Sequence, residues 1–348
     1  MRIGIAFDLA PSARAADGLD DVYEEFDKPT TIEAIARVLR GRGHEVALLG
    51  DGRELVERLL VDPPDLVWNM AEGEGVGRSR EARVPAVCEL LGIPCTGSDP
   101  LTLAASLDKP VAKRLVSEVV AVPRGCLIEG GETEAAARAK VEALFDKADA
   151  TPGPWIVKPA YEGSSKGIRE SSLVDTPSDA ARLASGMARD YRQPILVEEY
   201  IKGDEVTVGV IGNGSTAAVI GTLRIVPRTA DDRFVYTVEV KRDWDERILY
   251  EIPARLAADV DLRLRAAALR AYQVLGCRDV ARIDFRVRDG IPCFLEANPL
   301  PGLAPDWSDL CFMARGHGMN HDTLIGKILE AACARLGLAE SPARSTPQ

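Results

Sequence analysis

The chain is poor in histidine, with only His44, His317 and His321 among 348 residues. A histidine-rich metal centre or a serine–histidine–aspartate hydrolase therefore has little to be built from. Cysteine is odd in number: Cys88, Cys95, Cys126, Cys277, Cys293, Cys311 and Cys333, with no Cys-x-x-Cys pair. Most sit inside apolar runs, which argues against a disulfide framework or zinc site and for buried thiols in a reducing cytoplasm. No stretch approaches the roughly 20 apolar residues of a membrane span. Met1–Ala6 reads as a strand, not as a signal peptide. Basic excess is also missing. The formal charge of −11 excludes the basic stripe of a nucleic-acid surface. Chemistry here must rest on carboxylates, lysine, arginine and backbone.

What is present is ordinary globular material, 46% hydrophobic and 28% charged, long enough for two or three domains. Residues 2–6, 45–50 and 65–69 read as strands. Pro29–Arg42 reads as a helix with a Thr30/Glu33 capping box, and a second helix lies near Glu81–Leu91. A short strand is expected at Pro94–Gly97. This alternation predicts an α/β unit over 1–96 with a doubly wound parallel sheet. A second unit, 97–195, carries a helix from Asp108, an alanine-rich helix around Glu132–Ala148 and the strand Trp155–Pro159. A third, 196–338, is β-rich with helices near Ala254–Leu275 and His321–Leu336. The tail 339–348 lacks an apolar pattern and is expected to be disordered.

The most informative stretch is Arg282-Ile-Asp-Phe285, then Asp289-Gly290, then Leu295-Glu-Ala-Asn-Pro299. Alternating apolar residues around a turn predict a β-hairpin. A two-residue loop would put Asp284 and Glu296 on opposite faces. A three-residue loop, Arg288–Gly290, puts Ile283, Phe285, Val287, Ile291, Cys293 and Leu295 on one face and Arg282, Asp284, Glu296 and Asn298 on the other. Burial of one face selects register, so the longer loop is expected. Two carboxylates, an amide oxygen and a guanidinium then converge, and hard oxygen ligands suit Mg²⁺.

Other segments point the same way. Lys158 ends a strand and is followed by Glu162-Gly-Ser-Ser-Lys-Gly167, a small hydroxyl-bearing loop that phosphate can approach closely. It is not a Walker loop. Asp108-Lys109 opens a helix on which Lys113 reads as a solvated charge. Leu196–Ile201 is a strand whose edge suits an adenine, with Glu205 beyond the turn placed for ribose. Gly302 follows the hairpin, its N–H placed for an oxyanion.

Taken together, these pieces resemble the ATP-grasp superfamily, and within it the D-alanine–D-alanine ligase family. The resemblance runs through Ile93–Ser98, Asp108-Lys109, Lys158–Gly167, Glu198–Val208, Glu239-Val-Lys241, Pro253-Ala254, Arg282–Asp284 and Glu296–Gly302, over about residues 90–335. It implies a three-domain ATP-grasp fold with ATP between the second and third domains. By resemblance, Lys109 and Lys158 bind phosphates with Glu162 and Ser165 beside them. Glu198, Tyr200 and Ile201 line the adenine pocket, Glu205 takes the ribose, and Lys241 reaches the γ-phosphate from a mobile loop within the charge-dense Arg228–Arg247 region. Asp284, Glu296 and Asn298 hold two Mg²⁺ ions, with Mn²⁺ as a substitute. Arg282 and the Gly302 N–H stabilise a tetrahedral intermediate, and Ser164 sits by the substrate carboxylate. The implied reaction forms an acylphosphate at the expense of ATP and transfers it to an amine. Relatives are often homodimers.

The N-terminal part departs from the family pattern. Phe7-Asp-Leu-Ala-Pro-Ser-Ala-Arg14 stands where a Gly-Gly-x-Ser-x-Glu run is usual, and Glu72 replaces the usual histidine. Arg242 follows the loop lysine in place of tyrosine, and the Gly302-to-Ser308 spacing is one residue longer. All four departures fall where amino-acid substrates would sit. Glu72, Glu24, Glu25 and Ser308 are the substrate candidates, with Asp27 beside them, because a substrate ammonium needs a desolvated carboxylate. Arg83 is a candidate for a substrate carboxylate, although a surface helix face accounts for it. His317 and His321 read as structural. The expectation is a cytoplasmic ligase joining two amino-acid-like substrates. The competing readings are a specialised-metabolite amide ligase with substrates other than D-alanine and a nucleotide-binding regulator without turnover.

Overall fold

The computed structural model describes residues 1–11, 19–145 and 154–338. The tail 339–348, residues 146–148 of the expected alanine-rich helix and residues 12–14 of the divergent N-terminal run lie outside them. Three sheets organise the described residues. The first has β1 (Arg2–Ala6), β2 (Glu45–Gly50) and β3 (Leu66–Asn69) in the order β2-β1-β3, with β1 parallel to both neighbours. Buried parallel strands read as continuous apolar runs, and β3 (Leu-Val-Trp-Asn) is buried throughout. The helix Pro29–Gly41 offers Ile32, Ile35, Ala36 and Leu39 to one sheet face, where the C-terminal helix His321–Leu336 joins it through Leu324, Ile325, Ile328 and Leu329. The helices Gly52–Val61 and Arg83–Leu91 cover the other face. This is the doubly wound arrangement expected.

Two local expectations fail. Thr30 and Glu33 make no capping box: the helix starts at Pro29 behind Lys28, without a side-chain cap. Proline at the first helical position supplies the needed φ and lacks the N–H a cap would satisfy. Pro94–Gly97 is not a strand but a single bridge, Val67 to Cys95.

The second sheet contains β4 (Gly125–Ile128), β5 (Trp155–Pro159), β6 (Leu173–Val174) and β7 (Ile195–Glu199), ordered β4-β7-β5-β6 and antiparallel. The helices Glu134–Phe145 and Pro177–Asp190 pack on it, burying Ala137, Val141, Ala180, Ala181 and Ala184 against Trp155, Val157 and Val197. The third sheet is β8 (Asp204–Ile211), β9 (Ala218–Pro227), β10 (Ile248–Glu251), β11 (Val280–Arg288) and β12 (Ile291–Asn298), ordered β10-β9-β8-β11-β12. The helices Lys109–Val116 and Ala258–Leu275 seal its apolar face. No described helix is long and apolar enough to cross a membrane. Five of the seven cysteines are buried.

The β11–β12 hairpin corrects the sequence reading and yet delivers its consequence. Arg288 pairs with Ile291, so the loop is the two-residue Asp289-Gly290 and not a three-residue loop. Both residues have positive φ, +53° and +74°, as a type I′ turn demands. That register alone would separate the acids. A β-bulge resolves it: Phe285 faces Phe294, but Asp284 faces Glu296, leaving Leu295 as the extra residue. The bulge inverts which side chains point inward. Ile283, Phe285, Val287, Phe294 and Ala297 form the buried face. Ile291 is exposed, Cys293 lies beside Lys113 and Glu198, and Leu295 lines the central cavity, so none of these three joins that face.

Candidate active site

The second and third sheets enclose a cavity lined by Lys109, Lys158, Tyr200, Ile201, Glu205, Lys241, Arg282, Asp284 and Glu296, with Ser164 and Ser165 above it. The strand ends fix these side chains. Lys158 comes from β5, buried and 2.5 Å from Glu198 of β7. Lys113 reaches the same carboxylate at 2.8 Å. Lys113 is therefore a buried partner, not the solvated charge expected from its helix. Burial lowers the Lys113 ammonium, while the paired lysines hold the Glu198 carboxyl below its usual range against that same burial. Glu198 lines the cavity, with its carboxylate held by two lysines.

Lys109 opens the helix Lys109–Val116, capped by Asp108, whose side chain accepts the Val111 N–H. Its ammonium lies 3.1 Å from Glu296 and donates to the Glu162 carbonyl. Burial works against ionisation of Glu296, but Lys109, Lys158 and Arg282 draw its carboxyl down to about 2. Asp284 sits opposite. Arg282 donates to both its oxygens at 3.0 and 2.9 Å, Asn298 Nδ2 donates at 3.0 Å, and Thr207 Oγ1 donates as well. The three expected metal residues are thus brought together. Their donors are hard oxygens, and Arg282 and Lys109 lie against the two acids. The set fits Mg²⁺, which takes few protein carboxylates and completes its shell with phosphate oxygens. Among the described residues no group of three histidine, cysteine, aspartate or glutamate side chains could hold a metal.

Lys241 lines the cavity without a hydrogen-bond partner among the described residues, its ammonium lowered by burial and by Arg282 against the pull of Asp309 and Asp284. The segment carrying it is docked onto the N-terminal part. Arg242 donates to Glu24 and Asp20, and Arg169 ties Glu239 to Asp20 and Asp21. Glu24 is consequently engaged by Arg242 and ties the Lys241 segment down. Glu205 receives Arg286 at 2.7 Å, and that guanidinium also donates to the Phe234 carbonyl and lies over the Tyr200 ring. Ser164 and Ser165 adopt positive φ (+48° and +60°), and Ser165 Oγ donates to the Tyr236 carbonyl.

A smaller second cavity continues from Arg282, Glu296, Asn298 and Gly302 to Glu72, Glu81 and Ser106. Glu25 borders it but is engaged. Arg80 and Lys166 bind its carboxylate at 2.8 and 2.9 Å, and the Gly163 N–H donates to it. The same two cations hold Glu162 at 3.3 and 2.5 Å, so Glu162 offers the nucleotide side only its carbonyl. These four side chains are each under 10% exposed and form a closed, self-neutral quartet. Glu25 is therefore withdrawn from the substrate candidates, its carboxyl held near 2 by Arg80 and Lys166 in spite of burial. Ser308 is withdrawn too: its Oγ accepts the Ala304 N–H and shapes the turn after Gly302. Arg83 is exposed and donates to the Glu74 carbonyl. His317 and His321 bond to the backbone of Thr222 and Leu303, as structural residues do.

Sequence reasoning missed Arg80, Lys166, Glu81, Ser106, Thr207 and Leu295. Only Lys166 carried a signal, as a lysine inside the glycine–serine loop.

Comparison with known proteins bears on the whole arrangement. Residues 131–330 match the family model described as the D-ala D-ala ligase C-terminus. A D-alanine–D-alanine ligase of Fervidobacterium nodosum is 31% identical over 312 residues, covering 87% of this chain and 93% of that protein. The chain belongs to the D-alanine–D-alanine ligase family. The ligase of a Synechococcus strain is 32% identical, covering 91% of this chain and 94% of its own. Among solved structures, a D-alanine–D-alanine ligase from Bacillus anthracis superimposes with a TM-score of 0.73 at 21% identity, over 96% of this chain and 98% of that one. VanG D-Ala:D-Ser ligase from Enterococcus faecalis gives 0.70 at 23%, over 95% and 99%. These two likenesses concern the fold. As a family member, this chain is an ATP-dependent, ADP-forming ligase that makes a carbon–nitrogen bond on an ATP-grasp fold.

Proposed function

We propose that this ligase joins two amino acids through an acylphosphate. The first substrate's carboxylate attacks the γ-phosphorus of ATP and the bond to ADP breaks. The second substrate's amine then attacks the acyl carbon, loses a proton, and phosphate leaves. The observation that carries the reading is the convergence of Asp284, Glu296, Asn298, Arg282 and the lysines Lys109, Lys158 and Lys241 on one cavity.

Each side chain then has a physical task. The three lysines offset phosphate charge, which phosphoryl transfer requires of its surroundings. Asp284, Glu296 and Asn298 would hold Mg²⁺, which when bound neutralises developing phosphate charge. Arg282 and the Gly302 N–H face the acyl oxygen, Tyr200 and Ile201 the base, and Glu205 the ribose. Ser164 lines both cavities and so borders both substrates. The Arg242 and Arg169 clasps keep the lid segment down, which protects an acylphosphate from water. The limit at about 96 accords with the first sheet lying wholly before it, whereas the second sheet runs through β7 to Glu199, past the limit at 195. A cytoplasmic setting accords with the buried cysteines, and a homodimer with the resemblance.

Purified protein with Mg-ATP and a panel of D- and L-amino acids, scored for phosphate release and product mass, tests the reading. Release with particular pairs supports ligation. Nucleotide binding without release under any pair supports the regulator reading.

A further inference from the structure

The second cavity has an unbalanced charge at its far end. The quartet of Arg80, Lys166, Glu25 and Glu162 sums to zero, and Lys109 and Arg282 are paired with Glu296 and Asp284. Glu72 and Glu81 remain. Neither has a hydrogen-bond or ion-pair partner among the described residues, and Glu81 is only 8% exposed. A second, independent group points into the same space. Ser106 Oγ, on a residue 3% exposed, has no hydrogen-bond partner among the described residues. Buried carboxylates and hydroxyls left unpaired are costly, so a ligand that completes them gains that cost back on binding.

Glu72 stands just past the C-terminal end of β3, beside β1 at the centre of the first sheet, where open α/β sheets place their ligands. A divalent cation is a poor match, because it wants six or more oxygens and only two acids and one hydroxyl are free here. Ammonium groups, each with three donors and no acceptor, match them. The opposite end of the cavity, at Arg282 and Gly302, suits a carboxylate.

Resting on the ligase reading above, we infer that the first substrate is a diamino acid, its carboxylate toward Arg282 and Gly302 and its two ammonium groups on Glu72 and Glu81. Two positive charges cancel the two uncompensated negative ones. Alanine, with one ammonium, leaves a buried carboxylate unmatched. The empty site balances itself with protons instead. Burial, with Glu25 nearby, raises the Glu81 carboxyl to about 8 against the attraction of Arg80, and burial beside Glu81, Glu25 and Asp27 raises Glu72 well above the usual carboxylate range, again against Arg80. Lys109 and Glu162 also face Glu81. A dication must displace those protons, so it binds more tightly as pH rises.

Calorimetry with Mg²⁺ and a non-hydrolysable ATP analogue tests this without requiring turnover. The titrants are 2,3-diaminopropionate, 2,4-diaminobutyrate, ornithine, lysine and alanine, each as both enantiomers. At least one diamino acid should bind tenfold or more tightly than alanine of the same handedness. Glu81→Gln should cut that preference at least tenfold, and Glu72→Gln serves if the first variant fails to fold by circular dichroism. Ornithine or lysine affinity should rise between pH 6.5 and 8.5 and flatten in the variant. Alanine binding as tightly as every diamino acid, or a preference untouched by both variants, overturns the inference while leaving ligation standing. Absence of phosphate release with every pair counts against ligation, and the calorimetric preference still decides the diamino acid.

Discussion

The two ends of the active site are built on opposite electrostatic principles. At the nucleotide end every cation but Lys241 already has its carboxylate: Lys113 and Lys158 share Glu198, Lys109 meets Glu296, and Arg282 grips Asp284. These side chains stand on strands or at a helix start, so their positions are held before ATP arrives. Preorganisation of this kind lowers the cost of ordering charge during phosphoryl transfer. At the substrate end Glu72 and Glu81 have no ion-pair partner among the described residues, and Arg80, which attracts both from further off, is already bound in the neighbouring quartet. The first end is made for a ligand with a fixed charge pattern. The second waits for a ligand that brings the missing charge.

Breaking the nucleotide end should have the largest effect. Asp284→Asn or Glu296→Gln should reduce turnover to background while circular dichroism and the melting curve remain native. Near-normal phosphate release by either variant would remove the metal assignment. Glu198→Gln comes next. It strands two buried lysines, and removing one partner of a buried pair typically costs about 3–5 kcal/mol, so the urea midpoint should drop and ATP binding weaken. An unchanged midpoint would mean that Lys113 and Lys158 find other partners.

At the substrate side, Arg80→Met opens the quartet. Glu25, now held near 2, contributes stability that is present above its ordinary value near 4.5 and lost as pH falls toward 2. With Arg80 gone its carboxyl rises, so acid unfolding should begin at higher pH than in the parent chain. Acid melting curves of the two proteins decide it.

Glu81 has the opposite sign. Its folded value of about 8 lies above the unfolded one, so the native state binds the extra proton and stability falls as pH rises from about 4.5 through 8. Asp8, near 8, and Asp27, near 7, push the same way, so the measurement is a difference: ligand-free Glu81→Gln should lose less melting temperature between pH 5 and 8.5 than the parent. Equal losses would place the proton elsewhere. The smallest effect is expected at Arg83→Ala, an exposed side chain, with stability within about 0.5 kcal/mol and unchanged kcat/KM.

Legibility followed the same divide. The order of motifs, the Lys158 strand, the Asp108-Lys109 helix start and the carboxylate hairpin were all readable, because each lies within a few residues of its own signal. Lys113 was misread because a helical lysine looks solvated until β7 supplies Glu198. Glu25 was misread because its partners Arg80 and Lys166 lie 55 and 141 residues away. Glu81 was read only as part of a helix, and a carboxylate's lack of partners leaves no trace in sequence.

Periodicity, turn residues and local charge therefore determined the α/β organisation and the family, since these depend on short-range backbone preferences and motif spacing. The pairing of Asp284 with Glu296 was decided elsewhere. The turn chose one register, and only the bulge at Leu295, with Ile283, Phe285 and Phe294 packed against the helix Ala258–Leu275, turned both acids to the same side. Which charges cancel and which are left over was likewise settled by packing, because Coulomb energy depends on distance in space and burial, neither of which is written in chain order.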